Sequence, residues 1–348
     1  GSPISLDALE QISVSTTPFD VRQSGFTGGA INAVTKSGTN EFKGTAYMYT
    51  SNTHLTGNKV EDYELTRNRD HSTTYGASLG GAIIKNKLFF FVNGEYQDNV
   101  QAGPSGIARS GANDEWSTNG IVHRPFENTT TVGGRTFVGM NNISQYLSEK
   151  YNYNPGRYQG YSLETPSYKI MGRLDWNINN NHRLALRYNY TKNTVWNAPN
   201  ASSMDGGTRM SGSRNSQYAM SYANSMYSLD NLVHSLSFDL NSRFSATLSN
   251  QFLATFSKLD DVRGTNSSIF PFVDILKDNQ NYISFGEELF TYNNAVHNTV
   301  WNIKDDVTYY TGNHKIMVGL NYEHQMADNQ YLRNGTGYYR YTSLDDFV

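Results

Sequence analysis

The sequence predicts an all-β chain, part of a large antiparallel transmembrane β-barrel, and three observations predict it. Side chains alternate between apolar and polar along nine segments, the period-two signature of strands with one apolar face. The connections between those segments alternate strictly between short and long, as in outer-membrane barrels with short turns on one rim and long loops on the other. The composition sets 25 Tyr, 17 Phe and 4 Trp beside only 17% charged residues, and Tyr and Trp suit a membrane interface because one end is apolar and the other hydrogen-bonds.

In chain order the first three strands are Asn40–Ser51, whose faces separate least clearly, Thr73–Ile83 and Leu88–Gln97. Tyr168–Ile178 sets Tyr168, Ile170, Gly172, Leu174 and Trp176 against Lys169, Met171, Arg173, Asp175 and Asn177. His182–Thr191 sets Leu184, Leu186, Tyr188 and Tyr190 against Arg183, Ala185, Arg187 and Asn189. Asn231–Leu240 follows, then Phe244–Ser257, where Phe244, Leu248, Phe252 and Phe256 oppose Thr247, Ser249 and Gln251. That alternation outlasts a soluble strand of about 5–6 residues and suits a tilted span of about 9–11 residues with extensions. Val300–Tyr310 and Lys315–His324 complete the nine. Trp176, Tyr188, Tyr190, Trp301, Tyr309 and Tyr322 are the expected interfacial aromatics.

The short connections are Ile84–Lys87, Asn179–Asn181, Asn241–Arg243 and Gly312-Asn313, rich in the Asn and Gly that tight hairpins require. The long ones run over 52–72, 98–167, 192–230 and 258–299, with a short helix expected at Asn142–Tyr151. Nine strands are an odd count and leave two unpaired edges, so the chain alone is expected to be incompletely folded. At roughly 34 residues per strand, a plugged barrel of about 22 strands needs roughly 750 residues; the sequence reads as less than half of one.

Other classes are excluded. With no Cys there is no disulfide framework, iron–sulfur site or Cys-ligated zinc. A net charge of −3 gives no electrostatic reason to expect nucleic acid. No apolar run reaches the ~18 residues of a membrane helix, and the mean hydropathy of −0.60 is what alternating strands average to. The N-terminus lacks a basic start followed by an apolar stretch, so no signal peptide is expected within it.

The first forty residues are specific. Asp7-Ala8-Leu9-Glu10-Gln11-Ile12-Ser13-Val14 precedes Gly28 and Gly29, which permit a tight passage, then Ile31 and Val34, expected to be buried, and a turn at Ser37–Asn40. The pattern D-x-x-E-x-I-x-V followed by G-x-I-N-x-x-T-K resembles the end of the plug of TonB-dependent outer-membrane transporters. Pro18–Asn40, PFDVRQSGFTGGAINAVTKSGTN, resembles their Oar-like branch, of Bacteroidota type, as do Lys87–Phe91, Tyr151–Gly156, Phe270–Val273, Asp305–His314 and Gly337–Tyr341. It departs from the SusC-like branch, so a lipoprotein lid is less expected. The resemblance implies a C-terminal plug end at 1–39, with Arg22, Gly25, Gly28, Gly29, Asn32, Thr35 and Lys36 as its motif, and the N-terminal part of a barrel with long extracellular loops at 40–348. It also implies active transport of an unidentified substrate in a Gram-negative outer membrane. The partners implied are TonB, through parts of the chain not present here, the lipid bilayer and the substrate; outer-membrane partner proteins are left open.

On the polar faces lie Arg173, Asp175, Arg187, Asp239, Lys304, Asp306 and Glu323, which a barrel turns to its lumen because a mid-membrane Arg facing lipid costs about 2–4 kcal/mol. Arg22 and Lys36 are expected to pair with wall carboxylates. A turn at Asn179–Asn181 places Arg173 opposite Arg187, so a carboxylate is expected beside them: Asp175 first, or Asp239 or Asp20. Eight His residues show no metal spacing. The doublets Asp260-Asp261 and Asp345-Asp346 read as solvated loop acids, and Asp205-Gly206-Gly207 lacks the ligand series of a calcium loop. Gly76–Gly81 lies within a strand and is no phosphate loop. No nucleophile or paired catalytic carboxylate appears, and neither an enzyme nor a cofactor is expected. Two other readings remain: a surface β protein that binds a partner or glycan without transport, and a barrel portion captured in a larger outer-membrane assembly.

Overall fold

A computed structural model describes residues 4–16, 28–57, 59–64, 70–103, 106–111, 116–117, 120–204 and 212–348. Arg22, Gly25, Asp20 and Asp205-Gly206-Gly207 lie outside them. The elements labelled below are β1 (Leu9–Ser15), β2 (Ala30–Thr35), β3 (Lys43–Asn52), β4 (His71–Ile84), β5 (Leu88–Ala102), β6 (Ser167–Asn177), β7 (His182–Asn197), β8 (Met220–Ser221), β9 (Tyr227–Arg243), β10 (Leu248–Gly264), β11 (Phe272–Lys277), β12 (Gln280–Phe285), β13 (Ala295–Thr311), β14 (His314–Gln330) and β15 (Tyr338–Tyr341), with helices α1 (Met140–Tyr151) and α2 (Leu344–Phe347).

Nine long strands form one antiparallel sheet in the order β14-β13-β10-β9-β7-β6-β5-β4-β3, and short Ser162–Glu164 adds to the end of β5. Neighbours in space are neighbours in sequence, as a meander of hairpins requires. The turns come from the residues expected: Asn86 at φ 62 and Gly312 at φ 55 adopt the left-handed region, while the Asn179 side chain accepts the Asn181 and His182 amides.

One turn is displaced. Asn241–Arg243 belongs to β9, and the chain reverses at 244–247, so Phe244 is a turn residue rather than the first of a fourteen-residue strand. Ser245 causes this: its Oγ accepts the Thr247 and Leu248 amides, and the Phe244 amide donates to Leu248 O. Pairing of His182 Nδ1 with Ser242 Oγ and of Arg243 N with Asn181 O then extends β9. Several strands also continue into the long connections; hence Asp260-Asp261 lies in β10, not in a loop, with Asp260 2.6 Å from His297 and 3.5 Å from Lys258.

The apolar face of the sheet is exposed. Ile170, Leu174, Trp176, Leu236, Trp301, Val318 and Leu320 are all more than a third accessible, the reverse of a soluble core and what a lipid-covered wall demands. Its outermost aromatics drift across the register. Tyr168 pairs with Lys192, so Tyr190 stands two residues lower; the row through Tyr190 reaches Thr299, so Trp301 is two lower again; Trp301 pairs with His324, so Tyr322 is two lower still. Six residues are about 20 Å and five strand spacings about 24 Å, which gives a tilt of roughly 40°, within the range of outer-membrane barrels. At the same boundary Tyr75, Tyr96 and Tyr168 form a ladder, ring centroids 6.5 and 4.8 Å apart.

The long connections are not structureless. Those between β5 and β6, β7 and β9, and β10 and β13 combine with residues after β14 into a cap with its own core. A four-stranded sheet, β8-β12-β11-β15, is covered by α1 through Met140, Ile143 and Leu147. Val273, Ile275, Ile283, Phe285 and Phe347 fill the space between. The β11–β12 hairpin turns at Asp278-Asn279, both at positive φ. Asp345 and Asp346 sit in α2, where Asp346 accepts Thr342.

Two predictions follow the two halves of this architecture. In full-length protein with a cysteine-free background, Cys at Leu236, Phe256 or Trp301 should react with a lipophilic reagent, and Cys at Ser237, Thr255 or Asn302 with a membrane-impermeant one; equal labelling removes the wall assignment. In the cap, burial and then the neighbouring Glu288 push the Glu287 carboxyl up to about 7. The folded cap therefore holds this proton more tightly than the unfolded chain, and its stability falls as pH rises from about 4.5 to about 7, by roughly 1–3 kcal/mol. Hydrogen-exchange protection at Tyr282–Phe285, corrected for intrinsic rates, should show that decline and lose it in Glu287→Gln.

Candidate functional site

The site is where the N-terminal tail meets one face of the wall. The register fixes that face. Arg173 pairs with Arg187, Ala185 with Asp239, Asp239 with Leu253, Leu253 with Lys304, Gln251 with Asp306 and Asn302 with Glu323. Because antiparallel partners share a face and side chains repeat every second residue, all seven charged residues singled out above stand on one side of the sheet.

The tail lies on that side. After the single 3-10 turn Leu6–Ala8, β1 pairs antiparallel with β2, with Ile12 opposite Ala33 and Val14 opposite Ile31. The Lys36 amide closes back on Ala8 O. Ala8 is fully buried against Phe91 and Met171, with Ile4 packed beside them; the other described contacts are mostly polar. Glu95 is its densest point: one carboxylate oxygen accepts Ser5 Oγ and Tyr47 OH, each at 2.7 Å, and the other accepts Lys169 Nζ at 2.8 Å. Tyr47 lies flat across the opposing Gly76, where a Cβ would fall 2.0 Å from its ring. Asp7 accepts Thr45 Oγ1 at 2.7 Å and pairs with Lys36 at 3.4 Å. Burial raises its pKa, but bonds from Ser78 and Thr45 and the Lys36 charge prevail, holding the carboxyl below its usual value.

Arg173 holds the end of β2. Its Nη1 donates to Thr35 O (2.7 Å) and Oγ1 (3.0 Å), while Nε and Nη2 take both oxygens of Asp175. Asp175 is thus the carboxylate expected beside the facing arginines. Among the described residues Arg187 reaches only Thr35 Oγ1, at 3.5 Å, and its buried Nε has no hydrogen-bond partner there. Asp239 instead accepts Asn241 and Gln251. Lys304 pairs with Asp306 at 3.4 Å, and Glu323 stands on the edge strand β14, exposed.

Beyond Lys36 the chain crosses the wall closely. A Cβ on Gly38 would fall 2.2 Å from Phe90 O and 2.6 Å from Gly81 O, so only glycine fits. Asn40 then exchanges two bonds with Asn86 of the first short turn. Ser37–Thr39 is consequently an irregular passage along the wall, not the expected turn. Gly28 has φ 141, a conformation that favours glycine, and a Cβ on Gly29 would approach Ser15 O to 2.9 Å, so Gly29 keeps the paired strands close. Asn32 lies in β2 opposite Ser13.

Two expectations fail. Ile31 and Val34 are 74% and 47% exposed, because it is Thr35 and Ala8 that the tail presents to the wall. Lys36 pairs with Asp7 of the tail rather than with a wall carboxylate, since the return of β2 brings the two ends of the tail together. Ser5, Tyr47, Glu95 and Lys169 were not singled out; only the register Lys169–Glu95, formed across the long connection before β6, reveals them. Among the described residues no group of three His, Asp or Glu could hold a metal ion.

The exposed apolar wall and the polar face carrying a docked tail define an outer-membrane barrel. Residues 34–346 match the model of the outer membrane beta barrel domain, and the chain belongs to that family, whose place is the Gram-negative outer membrane. It is 26% identical over 197 residues to the TonB-dependent transporter Oar of Myxococcus xanthus, a match covering 55% of this chain and 16% of that protein. Its fold resembles the siderophore receptor PirA from Acinetobacter baumannii (TM-score 0.50, 15% identity) and the outer membrane transporter YddB from Escherichia coli (TM-score 0.52, 12% identity). Each of those matches covers 92% of this chain and 35% of the solved one. The chain thus spans about a third or less of the proteins it matches, all transporters or receptors rather than enzymes.

The Glu95–Lys169 pair provides a test of the wall surface on which Ser5 rests. In full-length protein Lys169→Met should lower stability in detergent by about 3 kcal/mol, because it strands a largely buried carboxylate. The double variant Glu95→Gln/Lys169→Met should cost at least 1 kcal/mol less than the sum of the two singles. Strict additivity in melts of the heat-modifiable band would show that the pair does not couple.

Proposed function

We propose that the chain is part of a TonB-dependent transporter of the Oar-like branch, of Bacteroidota type. In this reading residues 1–39 end the plug and residues 40–348 begin the barrel. The single observation that carries it is the tail held by Ser5, Asp7 and Thr35 against the polar face of the sheet. A surface protein that only binds has no use for a segment laid along the inside of its wall. The family model's start at residue 34 and the match to Oar agree with it.

The seven wall charges then face the lumen, where Arg173, held by Asp175, grips the last plug strand. Substrate binds between external loops and plug; TonB, energised by the inner-membrane proton gradient, remodels the plug from the periplasm. The tail's described contacts with the wall are mainly hydrogen bonds, which water can replace one by one, so sliding here does not expose a large apolar interface.

The test compares wild-type cells, cells lacking the full-length gene and cells lacking TonB, profiling small molecules and secreted proteins on both sides of the envelope. The proposal predicts at least one species whose distribution shifts in the same direction in both mutants, whether by uptake or by export. Surface binding that disappears with the gene, persists without TonB and is accompanied by no transport change would establish the binding-only reading instead.

A further inference from the structure

Three arginines of the cap, Arg214, Arg333 and Arg340, gather around residues 200–204. Arg214 is fully buried and donates Nε and Nη2 to the two oxygens of Asp274, at 2.8 and 2.6 Å. Its remaining bonds go to Asn200 O and Ser203 O, each at 2.6 Å. Asp274 is saturated, since Ser284 Oγ donates to it at 2.6 Å and Tyr338 OH at 2.8 Å. One residue beyond Ser203, two more arginines converge. Arg333 Nη2 donates to Met204 O, and Arg340 Nη1 lies 3.2 Å from Met204 Sδ. Arg340 is the register partner of Asp274 across β11 and β15, so its side chain emerges on the same face as the Arg214–Asp274 pair.

Of these three arginines, Arg214 alone pairs with Asp274. Among the described residues no carboxylate pairs with Arg333 or Arg340, and each has a buried Nε without a hydrogen-bond partner. The bland account is packing: Arg333 stacks 5.3 Å from the Phe290 centroid, which stabilises a cation without an anion. It does not extend to Arg340, whose contact is a thioether, a weak acceptor. Fork-shaped donors that converge with no described carboxylate paired to them are the arrangement that binds carboxylate or phosphate oxygens bidentately.

We propose that Arg333 and Arg340, on either side of Met204, form an anion site in the external cap for a ligand bearing carboxylate or phosphate groups. The site stands independently of whether the whole protein transports.

The test is titration calorimetry of full-length protein in detergent with citrate and, separately, inorganic pyrophosphate, at constant ionic strength set with chloride. Saturable one-to-one binding of at least one probe is expected, and which one binds distinguishes carboxylate from phosphate recognition. Arg340→Gln and Arg333→Gln should each weaken it about tenfold or more. Arg340→Lys, which keeps the charge and loses the fork, should fall between. Arg183→Gln, on the wall, should leave it unchanged. The retained heat-modifiable band shows that each variant is folded. Absence of saturable binding for both anions, or equal weakening by Arg183→Gln, would overturn the proposal. So would binding that appears only in Asp205→Asn, because the residue following Met204 in sequence would then supply the site's own anion.

Discussion

In hydrocarbon a backbone N–H or C=O cannot turn to water, and each one left unbonded costs several kcal/mol. The rest of this structure depends on that constraint. It requires strands long enough to cross at a tilt, paired on both sides, and connected so that every reversal lies beyond the membrane. The nine-strand meander meets the requirement except along the outer edges of β3 and β14. It also inverts the usual place of the core. Because lipid covers the apolar face of the wall, the wall needs no second layer, and the largest buried apolar cluster lies in the connections.

The same wall has a second face that must stay polar and receive another segment. That segment is placed by backbone proximity and charge rather than by apolar bulk. Gly38 lets the chain pass against the carbonyls of Phe90 and Gly81, Ala8 fits over Phe91 and Met171, and Glu95, Arg173 and Asp7 collect hydroxyls, amines and a carbonyl around them. A larger residue at position 8 or 38 would push the tail off its bonds. Small residues at the crossing thus decide whether the tail's hydrogen bonds to the wall can form.

How much of this was legible follows from the range of the interactions. The nine strands and three of the four tight turns could be read because period-two alternation and turn chemistry are local. The displaced turn was lost to competition: Phe244 continues the alternation, but Ser245 offers its hydroxyl to two amides and wins. The cap sheet was illegible because β11 (FVDILK) and β12 (QNYISF) are short and buried on both faces, with Asp274, Asn281 and Ser284 inside among the apolar residues, and so lack the alternation that marks a half-exposed strand. Arg173 and Asp175 could be found because their hairpin fixes its own register. Glu95 and Lys169 could not, since their pairing joins strands separated by the long connection before β6.

The central claim is that the regular apolar face meets lipid at its full depth. Trp176 and Trp301 stand on that face at different levels, both substantially exposed in the isolated sheet. Full-length protein retaining only one of them, reconstituted in bilayers with bromine placed at defined acyl positions, reports the contact as fluorescence quenching. The account predicts strong quenching of each, with optimal bromine depths that differ between the two and little additional quenching by aqueous iodide. Quenching by iodide together with indifference to brominated lipid would contradict it.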